Sequence, residues 1–537
     1  MNFSDDTKGL YLNVASWSTR IVGSLLAVIC TAFLASCQLS AEALSISSSD
    51  SNAEVIKNVM IVDGTGAEGY IGHVRIKNDR IESVGNFPIV DTDRVTDGHG
   101  LTLAPGFIDT HSHHDSGLNK APEAVAAISQ GITTIVVGND GDSPQTMAQL
   151  KEQLIASPTT LNVAAYTGHG TIRSKVMGED YKRTATAVET GEMAALIKEE
   201  LRNGSLGLST GLEYDPGIYS SGDEILSLAK TVAAGGGRYI SHMRSEDRAF
   251  DAALEELLQI GKEADIPVQV SHIKLASTDL WGQAARVVQR LERARAEGIE
   301  VTADIYPYTF WQATLTVLMP NRDYNDLDAA RYALEKLAPA DGLTLVTYAP
   351  NPSFVGKTVA DIARERGASN EETYLQLIRD AYAVTFPAEV TDGPDGSPEV
   401  VMGESMTEGD IATLLGWSHT NLCSDGYGDG HPRGHGAFPR AIRQFVREQK
   451  LFTIEQMIHK MTGLSALHMG FTDRGVIQPG KVADLVLFDT DLIADKATIQ
   501  DPKQLSEGVI GVWVNGARVW REQSVTSARP GKLITRW

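Results

Sequence analysis

The sequence predicts an α/β protein, a (β/α)8 TIM-like barrel with a small β-sandwich domain built from N- and C-terminal segments. Three observations carry this. From about residue 101 to 425, short β-branched runs alternate with amphipathic helical stretches, the pattern of βα units around a parallel sheet. Eight such runs can be counted, the number that closes a barrel. On either side of them lie segments in which apolar and polar residues alternate with period two, as in strands with one solvated face.

In chain order, residues 21 to 36 come first, an almost wholly apolar run after Arg20. It is shorter than the ~20 residues a spanning helix needs, so it reads as an export signal. Its end, Leu34-Ala35-Ser36-Cys37, has the form of a bacterial lipobox, in which small residues precede a Cys that is lipidated and becomes the mature N-terminus. Residues 1–37 are therefore expected to be a lipoprotein-type signal peptide, with a plain signal peptide as the alternative. The Ser-rich stretch 38–52 suits a flexible tether. The expected location is the bacterial cell envelope, with the membrane touched only through the lipid anchor. Of three cysteines, only Cys423 lies in the folded body, which leaves no intramolecular disulfide there.

Residues 53–104 and 475–537 are expected to pair into the small β domain. Ala53 to Gly85 alternates around Asp63-Gly64 and Asn78-Asp79, and Ala483 to Asp489 and Val509 to Trp520 do the same, with a hairpin signal at Asn515-Gly516. Between them, residues 105–474 form the barrel. Its strands are Leu101 to His113, Ile132 to Gly138, Leu161 to Thr167, Leu206 to Thr210, Tyr239 to Met243, Val268 to Ile273, Val301 to Tyr306 and Asn421 to Asp425. Helical periodicity marks Gly191 to Leu201 and Gln283 to Ala296. The interval 310–418 is far longer than the others and carries a helical segment, Asp361 to Thr385. A connection of that length is usually functional, and this one belongs at the C-terminal rim of the barrel.

The formal net charge of −22 and pI near 5.0 argue against nucleic acid, whose phosphates are bound by clustered Lys and Arg. A small-molecule substrate fits better. Residues two apart in a strand share a side, so His111 and His113, in Pro105-Gly-Phe-Ile-Asp-Thr-His-Ser-His-His-Asp115, can approach one ion together. Such a pair alone is weak evidence. Asp140 ends the second strand, His242 the fifth, His272 the sixth and Asp425 the eighth. Metal-ligating types thus recur at C-terminal strand ends, where barrel enzymes keep their sites. Asp425 can take a proton from water and deliver it to a leaving nitrogen, while a metal ion lowers the pKa of water from ~15.7 towards ~7 and polarises a carbonyl. Together they describe hydrolysis. Tyr214 can donate to a carbonyl oxygen as charge develops. Lys274, Arg433, Arg244 and Tyr308 are candidates for holding a substrate, Arg433 with the fork that suits a carboxylate. Cys423, inside an apolar strand, reads as a buried thiol.

These motifs, the order His-x-His, His242, His272, Asp425, and the closing Gly475-Val-Ile-Gln-Pro-Gly-Lys-Val-Ala-Asp-Leu-Val486 resemble the amidohydrolase superfamily. More closely, the chain resembles the N-acyl-D-amino-acid deacylases, the D-aminoacylase family. The segments that carry this are Gly131-Ile-Thr-Thr-Ile-Val-Val-Gly-Asn139, Gly211-Leu-Glu-Tyr-Asp-Pro-Gly217, Ser271-His-Ile-Lys274, Asp304-Ile-Tyr-Pro-Tyr308, Ser424-Asp-Gly426, His431-Pro-Arg433 and Lys460-Met-Thr462. The resemblance covers residue 54 to the C-terminus. It implies Zn2+, one ion held tightly by His242, His272 and the residue at position 140, and a weaker site at His111, His113 and Asp425. Here the chain departs from the family, with Asp140 where a Cys is usual. A carboxylate can bridge two divalent ions, but it lacks the soft thiolate that favours zinc over harder metals. The activity implied is hydrolysis of the amide of N-acyl amino acids, of D configuration in the family. A dipeptide, a cyclic amide or a lipid-like or xenobiotic amide is the alternative substrate. A barrel lipoprotein that binds a small ligand without catalysis is the alternative outside enzymes.

Overall fold

The computed structural model describes residues 53–143, 145–385, 397–427 and 430–536. The expected signal, Cys37 and the tether lie outside them. Eight parallel strands form the barrel. Phe107–Asp109, Ile132–Val137 and Asn162–Ala165 run side by side, and the third strand continues past Tyr166 as Thr167–Gly168. From there Gly207–Gly211, Arg238–His242, Val268–Val270, Val301–Ile305 and Thr420–Leu422 follow in order. A parallel bridge between Ser112 and Gly426 joins the eighth strand to the first. Every residue of Ile132–Val137 is buried, as expected of a strand covered on both faces.

Threonines start the outer helices. Thr146, Thr186, Thr407 and Thr453 each accept from the backbone N–H three residues on, where Gln149, Glu189, Asp410 and Gln456 reach back. Such a cap stabilises a helix by about 1 kcal/mol.

The two chain ends meet in one nine-stranded sheet. Thr102–Pro105 from the N-terminal side pairs antiparallel with Leu485–Phe488 from the C-terminal side. Asn515 and Gly516, with φ of 46° and 78°, make the tight turn between Val509–Val514 and Ala517–Arg521. A Cβ on Gly516 would fall 1.9 Å from the carbonyl oxygen of Asn78, so only glycine fits there.

Three boundaries differ from expectation. Leu101 to His113 is not one strand: Thr102–Pro105 belongs to the nine-stranded sheet and Phe107–Asp109 to the barrel. The switch falls at Gly106, where a Cβ would lie 2.2 Å from the Thr133 side chain. The helical segment Asp361 to Thr385 is two helices, Val359–Arg366 and Asn370–Tyr382, because Gly367 turns left-handed at φ 65° and Ser369 caps the second. The long insertion ends earlier than residue 418, since Glu408–Gly416 is the barrel's own crossover helix to the eighth strand.

The insertion proper is a subdomain. Phe310–Ala313 and Thr344–Tyr348 flank Glu399–Glu404 in an antiparallel sheet. Trp311, Leu345, Tyr374 and Ile378 belong to its separate apolar core.

Candidate metal centre

The six metal-ligating residues named from the sequence converge at the C-terminal mouth of the barrel. His242 is the last residue of its strand, and the others follow their strands within four residues. His111 Nε2 lies 3.2 Å from Asp140 Oδ2 and 3.5 Å from Asp425 Oδ1. His113 Nε2 is 3.4 and 3.3 Å from the same two oxygens. On the other side, His272 Nε2 is 3.2 Å from Asp140 Oδ1 and 3.1 Å from His242 Nδ1. Asp140 thus turns one oxygen to each group and stands between them.

Strand ends alone do not give this convergence. Asp140, His272 and Asp425 have φ of 53°, 34° and 48°, a left-handed region that costs a non-glycine residue roughly 1–2 kcal/mol. Such outliers persist where surroundings over-determine them. Here the Asp304 carboxylate accepts the His272 backbone N–H at 2.6 Å. Asp109 accepts from the backbone N–H and hydroxyl of Ser424, and the Asp425 N–H donates to the His111 carbonyl at 2.9 Å. Burial raises the Asp109 carboxyl to about 6 against these bonds. The Cys423 thiol, also buried, donates to Asp304, and burial raises it well above the ordinary range, which removes it as a nucleophile.

The donor set fits divalent ions. Bonds of about 2.0–2.1 Å in a tetrahedron place ligand atoms roughly 3.3–3.4 Å apart, and the separations above run from 3.1 to 3.5 Å. Asp140, His242 and His272 would hold one ion, and His111, His113, Asp140 and Asp425 a second. Against burial, the hydrogen bonds that His113 donates to the Asp140 and Asp425 carboxylates raise it to about 10. An imidazole held that way gives up a proton when an ion takes its nitrogen.

Two carboxylates here were not singled out from the sequence. Glu213 Oε2 accepts from His242 Nε2 at 3.0 Å, and its Oε1 accepts the Glu246 backbone N–H at 2.9 Å. Glu246 lies 3.1 Å from His272 Nδ1 and 2.6 Å from Lys274 Nζ. Glu213, His242 and Glu246 also bring ligand atoms together, but the Lys274 ammonium already neutralises Glu246. Glu213 reads as the outer carboxylate that fixes which His242 nitrogen faces the ion, while Glu246 and the Lys274 ammonium meet at His272 Nδ1.

The substrate candidates divide. The Tyr214 ring packs 4.5 Å from that of His242. Lys274 sits on Glu246 and on His272 Nδ1, and Arg433 pairs with Asp425 Oδ2 at 2.6 Å; both are inside the cluster and already partnered by it. Arg244 is held by both oxygens of Glu256, which turns its fork away from the centre. Tyr308 packs under Arg440, and its hydroxyl reaches the Pro432 carbonyl. Tyr306, not singled out from the sequence, lies beneath the Arg433 guanidinium at 4.6 Å with its hydroxyl buried and without a hydrogen-bond partner among the described residues.

An amidohydrolase family profile matches residues 94–368 and 418–520, leaving out most of the insertion's second half. A D-aminoacylase of Alcaligenes xylosoxydans xylosoxydans is 33% identical over 503 residues, 89% of this chain and 96% of that protein. The chain belongs to the amidohydrolase family. An N-acyl-D-aspartate deacylase from the same organism is 34% identical, covering 89% of this amidohydrolase and 94% of the relative. Among solved structures, N-acyl-D-glutamate deacylase from Bordetella bronchiseptica, complexed with zinc and a phosphonate inhibitor, superposes with a TM-score of 0.79 at 31% identity. It covers 90% of this amidohydrolase and 99% of that chain. The barrel with its added domain is therefore shared with proteins named as a D-aminoacylase and N-acyl-D-amino-acid deacylases, one of them solved in complex with zinc.

Proposed function

We propose that this amidohydrolase removes the acyl group from N-acyl-D-amino acids by hydrolysing the amide. The observation that carries the reading is the Asp140-centred cluster, in which His111, His113, His242, His272 and Asp425 all contribute, in a chain similar over most of its length to three such deacylases. Zn2+ is the proposed ion, in one or two positions. The chemistry it supplies when bound is polarisation of the amide carbonyl and acidification of a water. Asp425 is placed to accept the water's proton and to hand it to the departing amine. The Arg433 and His272 charges outweigh burial and keep its carboxyl well below the ordinary range, so it is an anion at the start. In this reading Tyr214, whose ring packs against that of His242, donates to the carbonyl oxygen. The substrate carboxylate is held by the Tyr306 hydroxyl and by the donors that Arg433 and Lys274 keep beyond their bonds to Asp425 and Glu246.

The test is a panel of N-acetyl D- and L-amino acids given to protein stripped with chelator and reloaded with zinc. Amine release confined to the D series is expected. No amine release from any member of the panel would overturn the substrate class.

For its place in the cell, we propose export and lipid anchoring at Cys37. Cys37→Ala should move the protein from membrane to soluble fractions, and unchanged partitioning would refute the anchor.

A further inference from the structure

The insertion is tied to the loops that follow the barrel strands. Its Arg322 is fixed at home, with Nη1 donating to the carbonyls of Thr316 and Met319 at 2.9 and 3.0 Å. The rest of the guanidinium reaches out of the insertion. Nη2 donates to the Glu213 carbonyl at 2.7 Å and Nε to Asp215 Oδ1 at 3.1 Å, so one planar fork grips the loop after the fourth strand at two points. Asp215 is steadied on its other oxygen by the hydroxyls of Tyr181 and Tyr219. Arg322 itself has φ 53°, a conformation these four bonds offset.

What the fork holds is the residue that orients a metal ligand. With Oε2 of Glu213 accepting from His242 Nε2, the ring's proton sits on Nε2, and the lone pair on Nδ1 faces His272 and Asp140. A second latch supports the neighbouring loop. Arg248, six residues beyond His242, donates to the Leu318 carbonyl at 3.3 Å and lies over the Tyr332 ring at 4.6 Å.

We propose that the insertion sets how tightly His242 grips its ion, with Arg322 and Glu213 as positioning residues acting in series. The inference rests on the metal site at Asp140, His242 and His272. If the chain runs from Arg322 through Glu213 to the imidazole, loosening either link weakens metal binding by the roughly 10- to 100-fold typical of outer-shell partners, and loosening both adds little.

The experiment measures the zinc dissociation constant of stripped protein by competition with a chromophoric chelator. Variants are Arg322→Ala, Glu213→Gln, the double variant and Asp215→Asn, the last removing only a half-exposed charge partner of the fork. Expected are a 10- to 100-fold weaker constant in each of the first two, about the same in the double variant, and a severalfold loss in Asp215→Asn. Turnover of Arg322→Ala should recover at saturating zinc, which general damage to the fold would not allow. Zinc constants within twofold of wild type in Arg322→Ala would overturn the proposal, as would losses that multiply in the double variant. If Arg322→Ala does not fold, an unchanged constant in Asp215→Asn overturns it. His242→Ala separates the two levels: full retention of zinc there would remove the metal site itself, whatever Arg322 does.

Discussion

Asp425→Asn is the sharpest perturbation available at the centre, because it changes charge and almost nothing else. Asn adopts φ near 48° as readily as Asp, so the backbone at Asp425 is undisturbed. Oδ2 of the carboxylate meets Arg433 at 2.6 Å, while Oδ1 faces His113 and His111 at 3.3 and 3.5 Å. An amide there would turn its oxygen to the guanidinium, which only donates, and its NH2 towards the histidines. That NH2 can neither ligate an ion nor accept a proton. General acid–base catalysis contributes about 10²–10⁴-fold, or roughly 2.7–5.4 kcal/mol of barrier at 1.36 kcal/mol per decade. The assay is initial-rate amine release from the preferred N-acyl amino acid at matched, measured zinc content. kcat should fall by that factor while zinc remains at Asp140, His242 and His272. A kcat within tenfold of wild type would refute the role given to Asp425.

Three further outcomes follow from the geometry. Asp140→Cys replaces two oxygens, one turned to each side of the centre, by a single sulfur. The ratio of zinc to manganese bound from an equimolar mixture should rise, and an unchanged ratio would deny Asp140 a place among the ligands. Tyr306→Phe removes a hydroxyl without another partner, so KM should rise roughly ten- to hundredfold, the worth of one hydrogen bond to a charged group; an unaltered KM would remove Tyr306 from the substrate seat. In the insertion, burial raises Glu399 to about 8, against the Leu315 N–H that it accepts. A carboxyl raised above its ordinary value stabilises the fold below that ordinary value and loses the contribution as pH climbs through 8. Glu399→Gln should therefore remove a loss of stability of at most about 1.4 kcal/mol per pH unit between pH 5 and 8, read as a flatter plot of melting temperature against pH. Parallel melting curves would contradict this.

The barrel was legible because its strands are buried on both faces and so read as continuous β-branched runs. The hairpin at Asn515-Gly516 was legible because both residues tolerate positive φ. The junction at Gly106 was not, since two strands of different sheets follow each other without a polar residue between them and read as one run. Ligand types at strand ends could be read by position. Glu213 and Glu246 could not, because they lie in loops where no periodicity says which way a side chain turns. For Tyr306 a signal existed. Asp304 faces the barrel interior, and residue 306 shares its side just past the strand end, whereas Tyr308 stands farther out beyond Pro307. The pairing of Arg244 could not be read either: its partner Glu256 comes from the following helix, and one sequence gives no pairing between them.

The Gly106 junction has a consequence for anyone who would take this protein apart. One residue separates a strand of the nine-stranded sheet from the barrel strand that leads to His111 and His113, and the Gly106 N–H donates to the Asp484 carbonyl at 2.8 Å. There is no linker to cut. A barrel expressed alone would begin at the first residue of its first strand, and a chimera joining one relative's sheet to another's barrel would place its seam five residues from His111. The two parts should therefore melt in a single transition and be inherited, or engineered, as one piece.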